Sequence, residues 1–202
     1  IKYNKIYIYI MDKYKIIIIG PTGSGKSTFL SQLKRGEELE CSNIKDYHPT
    51  IGVDLHCQKI EHNSRIIKIH MWDTAGQERF DSIINSYYRD ADMVMLFYDI
   101  NESDNDKQIS KWCTKIIDYA DNKPTILLGN KIDVKKIFFS ENNNLINNCN
   151  IIKHFQISNF DLDNVKYVMD YIYNYIINNI NYSKKSETVS LKKKTIKTKC
   201  CY

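Results

Sequence analysis

Gly20-Pro21-Thr22-Gly23-Ser24-Gly25-Lys26-Ser27 follows the apolar run Ile16 to Ile19 directly and opens a segment of helix-forming residues. Strand, glycine loop and helix in that order commit this part of the chain to an α/β arrangement, and the loop is of the phosphate-binding kind. Its glycines let the backbone turn so that successive N–H groups face one anion. Lys26 brings a point charge to the outer phosphate oxygens, Ser27 offers a hydroxyl ligand to Mg²⁺, and the helix start adds its positive dipole end. Gly20, Thr22, Gly23, Ser24, Gly25, Lys26, Ser27 and Thr28 are therefore the candidate phosphate cradle.

A second motif selects the base. Asn130-Lys131-Ile132-Asp133 ends the apolar run Ile126 to Leu128, at the carboxyl end of an expected buried strand. The Asp133 carboxylate accepts from guanine N1 and N2. Adenine has no such donor pair on that edge, so it leaves the carboxylate unpaired and is rejected.

Between these motifs stands Trp72-Asp73-Thr74-Ala75-Gly76-Gln77-Glu78-Arg79-Phe80, after the strand-like segment Ile66 to Trp72. Gly20 to Ser27, Thr50, Asp73 to Gln77 and Asn130 to Asp133, in chain order, resemble a Ras-superfamily small GTPase. Pro49-Thr50-Ile51-Gly52-Val53-Asp54, the Trp72 to Phe80 string, Ser86-Tyr87-Tyr88-Arg89, Leu96-Phe97-Tyr98-Asp99-Ile100 and the terminal Cys200-Cys201-Tyr202 are similar to the Rab family within it. The resemblance covers roughly Lys13 to Ile180 and the tail.

The resemblance implies a P-loop NTPase fold: a doubly wound, mostly parallel six-stranded sheet flanked by helices. It implies GTP/GDP as the bound nucleotide and Mg²⁺ held by Ser27, Thr50 and Asp73. Gln77 would orient the attacking water, with Lys26 stabilising charge on the phosphates. The Thr50 and Gly76 N–H groups would meet the γ-phosphate, Lys131 would stack on the base, and Ser158 and Asn159 would stand where a backbone N–H reaches guanine O6. Slow turnover awaiting a GTPase-activating protein is the expectation, since no residue reads as a built-in arginine finger. An exchange factor and effectors complete the implied partners.

The formal charge of +5 is concentrated at one end. Residues 183–202 hold seven lysines against Glu187, which leaves the rest close to neutral. This argues against nucleic acid as a partner and for a tail that meets an anionic membrane surface. Cys200 and Cys201 do not form a CaaX box, which needs its cysteine where Lys199 stands. By resemblance both thiols receive geranylgeranyl groups through an escort protein and a dedicated transferase, and two lipids make a lasting anchor. The expected location is the cytoplasmic face of a membrane, with a cytosolic pool.

Three parts follow from this reading: residues 1–10 as a non-core extension before Met11, residues 11–182 as the GTPase domain, and residues 183–202 as a flexible basic tail. Cys41, Cys57, Cys113 and Cys149 lack metal-ligand spacing and read as reduced thiols. The five histidines form no metal motif. In the last helix Leu162, Val165, Met169, Ile172, Ile176 and Ile180 recur at three- and four-residue steps and mark the face turned to the sheet.

Several positions depart from the family pattern. Thr22 is β-branched where relatives have Gly or Ser, and is expected to crowd Gln77 and slow hydrolysis. Thr50 lies 23 positions after Ser27, more than the family usually allows, and no Phe, Tyr or Trp occurs from Leu30 to Asp46 to stack on guanine. Gln156-Ile157-Ser158-Asn159-Phe160 stands where the family has Ser-Ala-Lys, so Phe160 becomes a candidate cover for the base. Phe138 to Asn150 is an asparagine-rich surface excursion. Three functions stay in view: a cycling GTPase, a guanine-nucleotide-binding membrane scaffold with little hydrolysis, and a P-loop ATPase or kinase, which Asp133 disfavours.

Overall fold

The computed structural model describes residues 6–35, 52–62, 65–75, 87–134, 149–179 and 187–193. Seven strands and three helices stand among them. They are β1 (Ile6–Ile19), α1 (Lys26–Arg35), β2 (Val53–His62), β3 (Arg65–Thr74), β4 (Met93–Asp99), α2 (Asn105–Tyr119), β5 (Thr125–Asn130), β6 (Ile151–Ile157), α3 (Leu162–Asn179) and β7 (Glu187–Lys193).

Six strands form the main path of one sheet, in the order β2-β3-β1-β4-β5-β6. All its neighbours are parallel except β2 and β3, which pair antiparallel from Val53↔Thr74 to His62↔Arg65. The order reverses at β1: the chain passes to β3 on one side of it and then to β4 on the other. In such open sheets the crevice at the carboxyl ends beside the reversal is where a ligand fits.

The run Ile16 to Ile19 is buried on both faces, which is why it shows no polar alternation. Ile16 and Ile18 join Phe29, Met71, Phe97, Leu128 and the α3 residues Val165, Val168, Met169, Ile172 and Ile176 in one core. Ile17 and Ile19 face the other core, with Leu96, Tyr98, Leu127 and the α2 residues Ile109, Trp112 and Ile116. The expected α3 stripe is thus the buried one, with Val168 added; Leu162 is half-buried and Ile180 lies outside the described residues.

The segments read as extension and tail meet. Ile6 to Met11 extend β1 well ahead of the apolar run Ile16 to Ile19, and Glu187–Lys193 pairs antiparallel with them, from Met11↔Glu187 to Ile6↔Lys193 with a register shift between Tyr9 and Met11. The physical reason is an open edge: beyond the reach of β4, the N–H and C=O groups of β1 lack a neighbour on that side until β7 supplies one.

One expectation needs correction. Cys113 of α2 and Cys149, in the turn before β6, are joined as a disulfide with Cα atoms 5.4 Å apart, within the span such a bond allows. Their 36-residue separation gave no sequence signal, because only the folding of α2 and the turn before β6 into one core brings them together. Cys57 is a free, exposed thiol, and Cys41 lies outside the described residues.

Candidate functional site: a phosphate and base crevice

The phosphate loop leaves β1 through Gly20, at φ 137°, where an added Cβ would stand 2.1 Å from the Phe97 carbonyl oxygen of β4. Only glycine permits so close a passage of the loop over the neighbouring strand. Lys26, at the first position of α1, turns back under the loop, and its Nζ donates to the carbonyls of Gly20 and Pro21, each at 2.8 Å. The Ser24 hydroxyl also donates to Pro21 O (2.8 Å), while Phe29 N–H closes the first helical turn on Gly25 O (3.0 Å).

Lys26 is only 5% exposed. Burial pulls its pKa down to about 8, with the Asp73 carboxylate acting against the fall. Asp73, near the end of β3, is raised by burial, against the Ser27 hydrogen bond and the Lys26 charge. Ser27 Oγ donates to Asp73 Oδ2 at 2.5 Å, and Asp73 Oδ1 is buried with no hydrogen-bond partner. A hydroxyl and a carboxylate with one orphaned oxygen, side by side at the foot of a phosphate loop, suit a hard, oxygen-seeking cation such as Mg²⁺.

The base-side motif sits at the carboxyl end of β5, in register with β4 and β6 through Asp99↔Asn130 and Asn130↔Ile157. Asn130 is 3% exposed and, from the end of β5, bridges two loops: its Nδ2 donates to Ser24 O (2.9 Å) and its Oδ1 accepts the Asn159 N–H (3.1 Å). The latter N–H, assigned by resemblance to the guanine oxygen, is here used within the protein. Lys131 adopts φ 71° and pairs with Asp99 at 2.7 Å. Burial opposes ionisation of Asp99, but the hydrogen bonds from Lys131 and Asn101 and the Lys131 charge outweigh it and hold the carboxyl below its ordinary pKa.

A cavity of about 330 Å³ opens between these parts. Gly23, Gly25 and Thr28 line it from the phosphate loop and α1, Lys131 and exposed Asp133 from the loop after β5, and Asn159 and Phe160 from the loop after β6. Ser158 is buried and accepts the Phe160 N–H on its Oγ (3.2 Å). Thr22 is exposed on the phosphate loop.

Thr50, Gly76, Gln77, Cys200 and Cys201 lie outside the described residues. The strands that lead to three of them are placed: Gly52 O accepts the Ala75 N–H at 3.0 Å, so the segments carrying Thr50 and Gly76-Gln77 leave β2 and β3 from adjacent points. Sequence reasoning missed Asp99 and Asn101, which fix Lys131 through its ammonium and its carbonyl (Asn101 Nδ2 to Lys131 O, 2.9 Å). The available signal was an acidic residue at the carboxyl end of the strand beside β5. Also unforeseen is the Asn159 side chain, whose Nδ2 donates to Gly25 O at 2.7 Å.

Comparison with known proteins agrees with this geometry. The family model of the Ras family matches residues 15–178. The chain is 37% identical to the Ras-related protein RABD2a of Arabidopsis thaliana over 132 residues, 65% of this chain and 61% of that protein. It is 37% identical over 132 residues to the GTP-binding protein YPTM2 of Zea mays, again 65% and 61% of the two chains. With the human Ras-related protein Rab-37 it shares 40% over 121 residues, 59% of this chain and 52% of that one. The matched stretch thus spans about three fifths of the plant relatives and half of the human one.

Proposed function

We propose, because this chain belongs to the Ras family of small GTPases and is of the Rab type, that it is a switch which binds GTP and GDP and hydrolyses the first to the second. Water attacks the γ-phosphorus, the bond to the β–γ bridging oxygen breaks, and GDP and inorganic phosphate leave. The observation that carries this reading is the Asn130 bridge: its amide holds Ser24 of the phosphate loop at 2.9 Å, while Asp133, three residues on, lines the same cavity as Gly23 and Gly25. Phosphate recognition and guanine selection are parts of one site.

Lys26 is the first working group. Buried against two carbonyls, its ammonium is short of counter-charge, and the β- and γ-phosphate oxygens restore it. Ser27 and Asp73, with Thr50, would hold Mg²⁺, which neutralises charge on the phosphates. Gln77 orients the water, and the Thr50 and Gly76 N–H groups meet the γ-phosphate, so its loss releases both segments and any effector reading them. Thr22, exposed on the loop beside the γ-phosphate, slows the reaction by crowding Gln77.

The tail adds membrane attachment. Seven lysines and the thiols of Cys200 and Cys201 provide charge and two lipid acceptors, which suit the cytoplasmic face of a vesicle or organelle membrane in trafficking, with a cytosolic pool. An escort protein, a geranylgeranyltransferase, an exchange factor, a GTPase-activating protein and effectors are the partners this role requires.

The test is single-turnover phosphate release from the GTP-loaded full chain, alone and as Gln77→Leu. Slow release abolished by the substitution is expected. Stable binding of GTP with no release from either chain would replace the timed switch by a recruiting scaffold.

A further inference from the structure

We propose that Phe160 is the aromatic wall of the base pocket and that Asn159 straps it to the phosphate loop, so that the base is covered from the loop after β6. The inference rests on the guanine-nucleotide reading and adds the groups that hold the base. Three observations lead to it. The stretch from Leu30 to Asp46 contains no aromatic residue, which leaves Tyr47, three positions before Thr50, as the one Phe, Tyr or Trp between α1 and β2. Among the described residues lining the cavity, Phe160 is the one aromatic, on the same cavity as Lys131 and Asp133. Phe160 is half-buried, yet it is not among the described side chains packed on either core.

The backbone that carries the ring is fixed on both sides. Phe160 N–H donates to Ser158 Oγ (3.2 Å) and Asp161 N–H to Ser158 O (3.2 Å). Asp161 then caps α3, its Oδ1 accepting the N–H groups of Asp163 (2.9 Å) and Asn164 (3.3 Å). Asn159, 2% exposed, locks the loop to the other end of the site through Nδ2 to Gly25 O at 2.7 Å, a bond that the alanine of the family pattern cannot make. Its Oδ1 is buried with no protein partner, as befits an amide that edges the cavity rather than one paired within a core. A planar, electron-rich ring on a fixed backbone, lining the same cavity as an exposed carboxylate, suits a purine lying flat, its edge turned to Asp133.

The experiment measures dissociation of GDP and of inosine diphosphate from the full chain. Phe160→Ala is expected to release both about tenfold faster, the loss of one stacked base, while Phe160→Tyr restores slow release. The preference for GDP over inosine diphosphate is set by Asp133 accepting from the exocyclic amine and stays unchanged. Asn159→Ala, acting as a positioning residue, speeds release about threefold in the parent and not at all in Phe160→Ala, since its effect runs through the ring. Unchanged release in Phe160→Ala overturns the proposal. So does a collapsed GDP preference, which would mark a disturbed fold, or independent effects of the two substitutions. A parent chain that holds no GDP overturns the nucleotide reading, and this inference with it.

Discussion

Lys26 is held in a position that costs free energy until an anion arrives. Its pKa is drawn from 10.5 to about 8 by burial, with Asp73 opposing, and its partners in the fold are the carbonyl oxygens of Gly20 and Pro21. The sign of the resulting pH dependence follows from proton counting. Below about pH 8 the native and unfolded chains both carry the proton and the burial penalty is fully expressed. Between about 8 and 10.5 the unfolded chain keeps a proton that the nucleotide-free native chain has lost, so stability rises with pH across that window. The rise is bounded at about 3.5 kcal/mol, from about 1.4 kcal/mol per unit. Urea denaturation of the nucleotide-free chain from pH 8 to pH 10 should reveal it against Lys26→Met, which lacks this contribution; parallel curves for the two chains would refute the assignment.

At the scale of elements, Asn130 converts the ends of three strands into one site. It caps no helix and fills no core; its amide joins the loop after β1 (Ser24 O) to the loop after β6 (Asn159 N–H) from the end of β5. Asn130→Ala leaves a buried carbonyl and a buried N–H without their partner and is expected to cost about 2 to 4 kcal/mol of stability. Nucleotide affinity falls in the same variant, because the phosphate loop at Ser24 and the loop carrying Asn159 lose their common support; equal denaturation midpoints and affinities in the two chains would contradict this. Much of this site was legible in the sequence, because a phosphate loop and an Asn-Lys-Ile-Asp turn are written in adjacent residues whose chemistry is local. The paired cores of β1 were legible too, in the unbroken run Ile16 to Ile19. What was not legible crosses between strands: Asp99 on Lys131, Asn159 Nδ2 on Gly25 O across 134 positions, and Cys113 on Cys149. Those contacts depend on which strand lies beside which, and apolar periodicity is blind to strand order.

For the whole molecule, the sheet has two ends with different work. The carboxyl ends carry the crevice, while β1 runs back 14 residues to Ile6, about 45 Å at the usual rise. β7 pairs there, and because it runs antiparallel from Met11↔Glu187 to Ile6↔Lys193, it carries the chain away from the crevice. Seven positions separate Lys193 from Cys200, a reach of at most about 25 Å. A lipid on Cys200 would then hold the membrane near the amino end of β1 and leave the nucleotide loops turned to the opposite side. A short added strand is only marginally stable without its partner, so the arrangement depends on residues 6–11. Hydrogen exchange monitored at residues 188–193 should be slowed in the full chain and fast once residues 1–10 are removed, with nucleotide affinity unchanged because the site lies at the far end of the sheet. Equal exchange in the two chains would mean that β7 draws nothing from β1, and the tail would then set no orientation on the membrane.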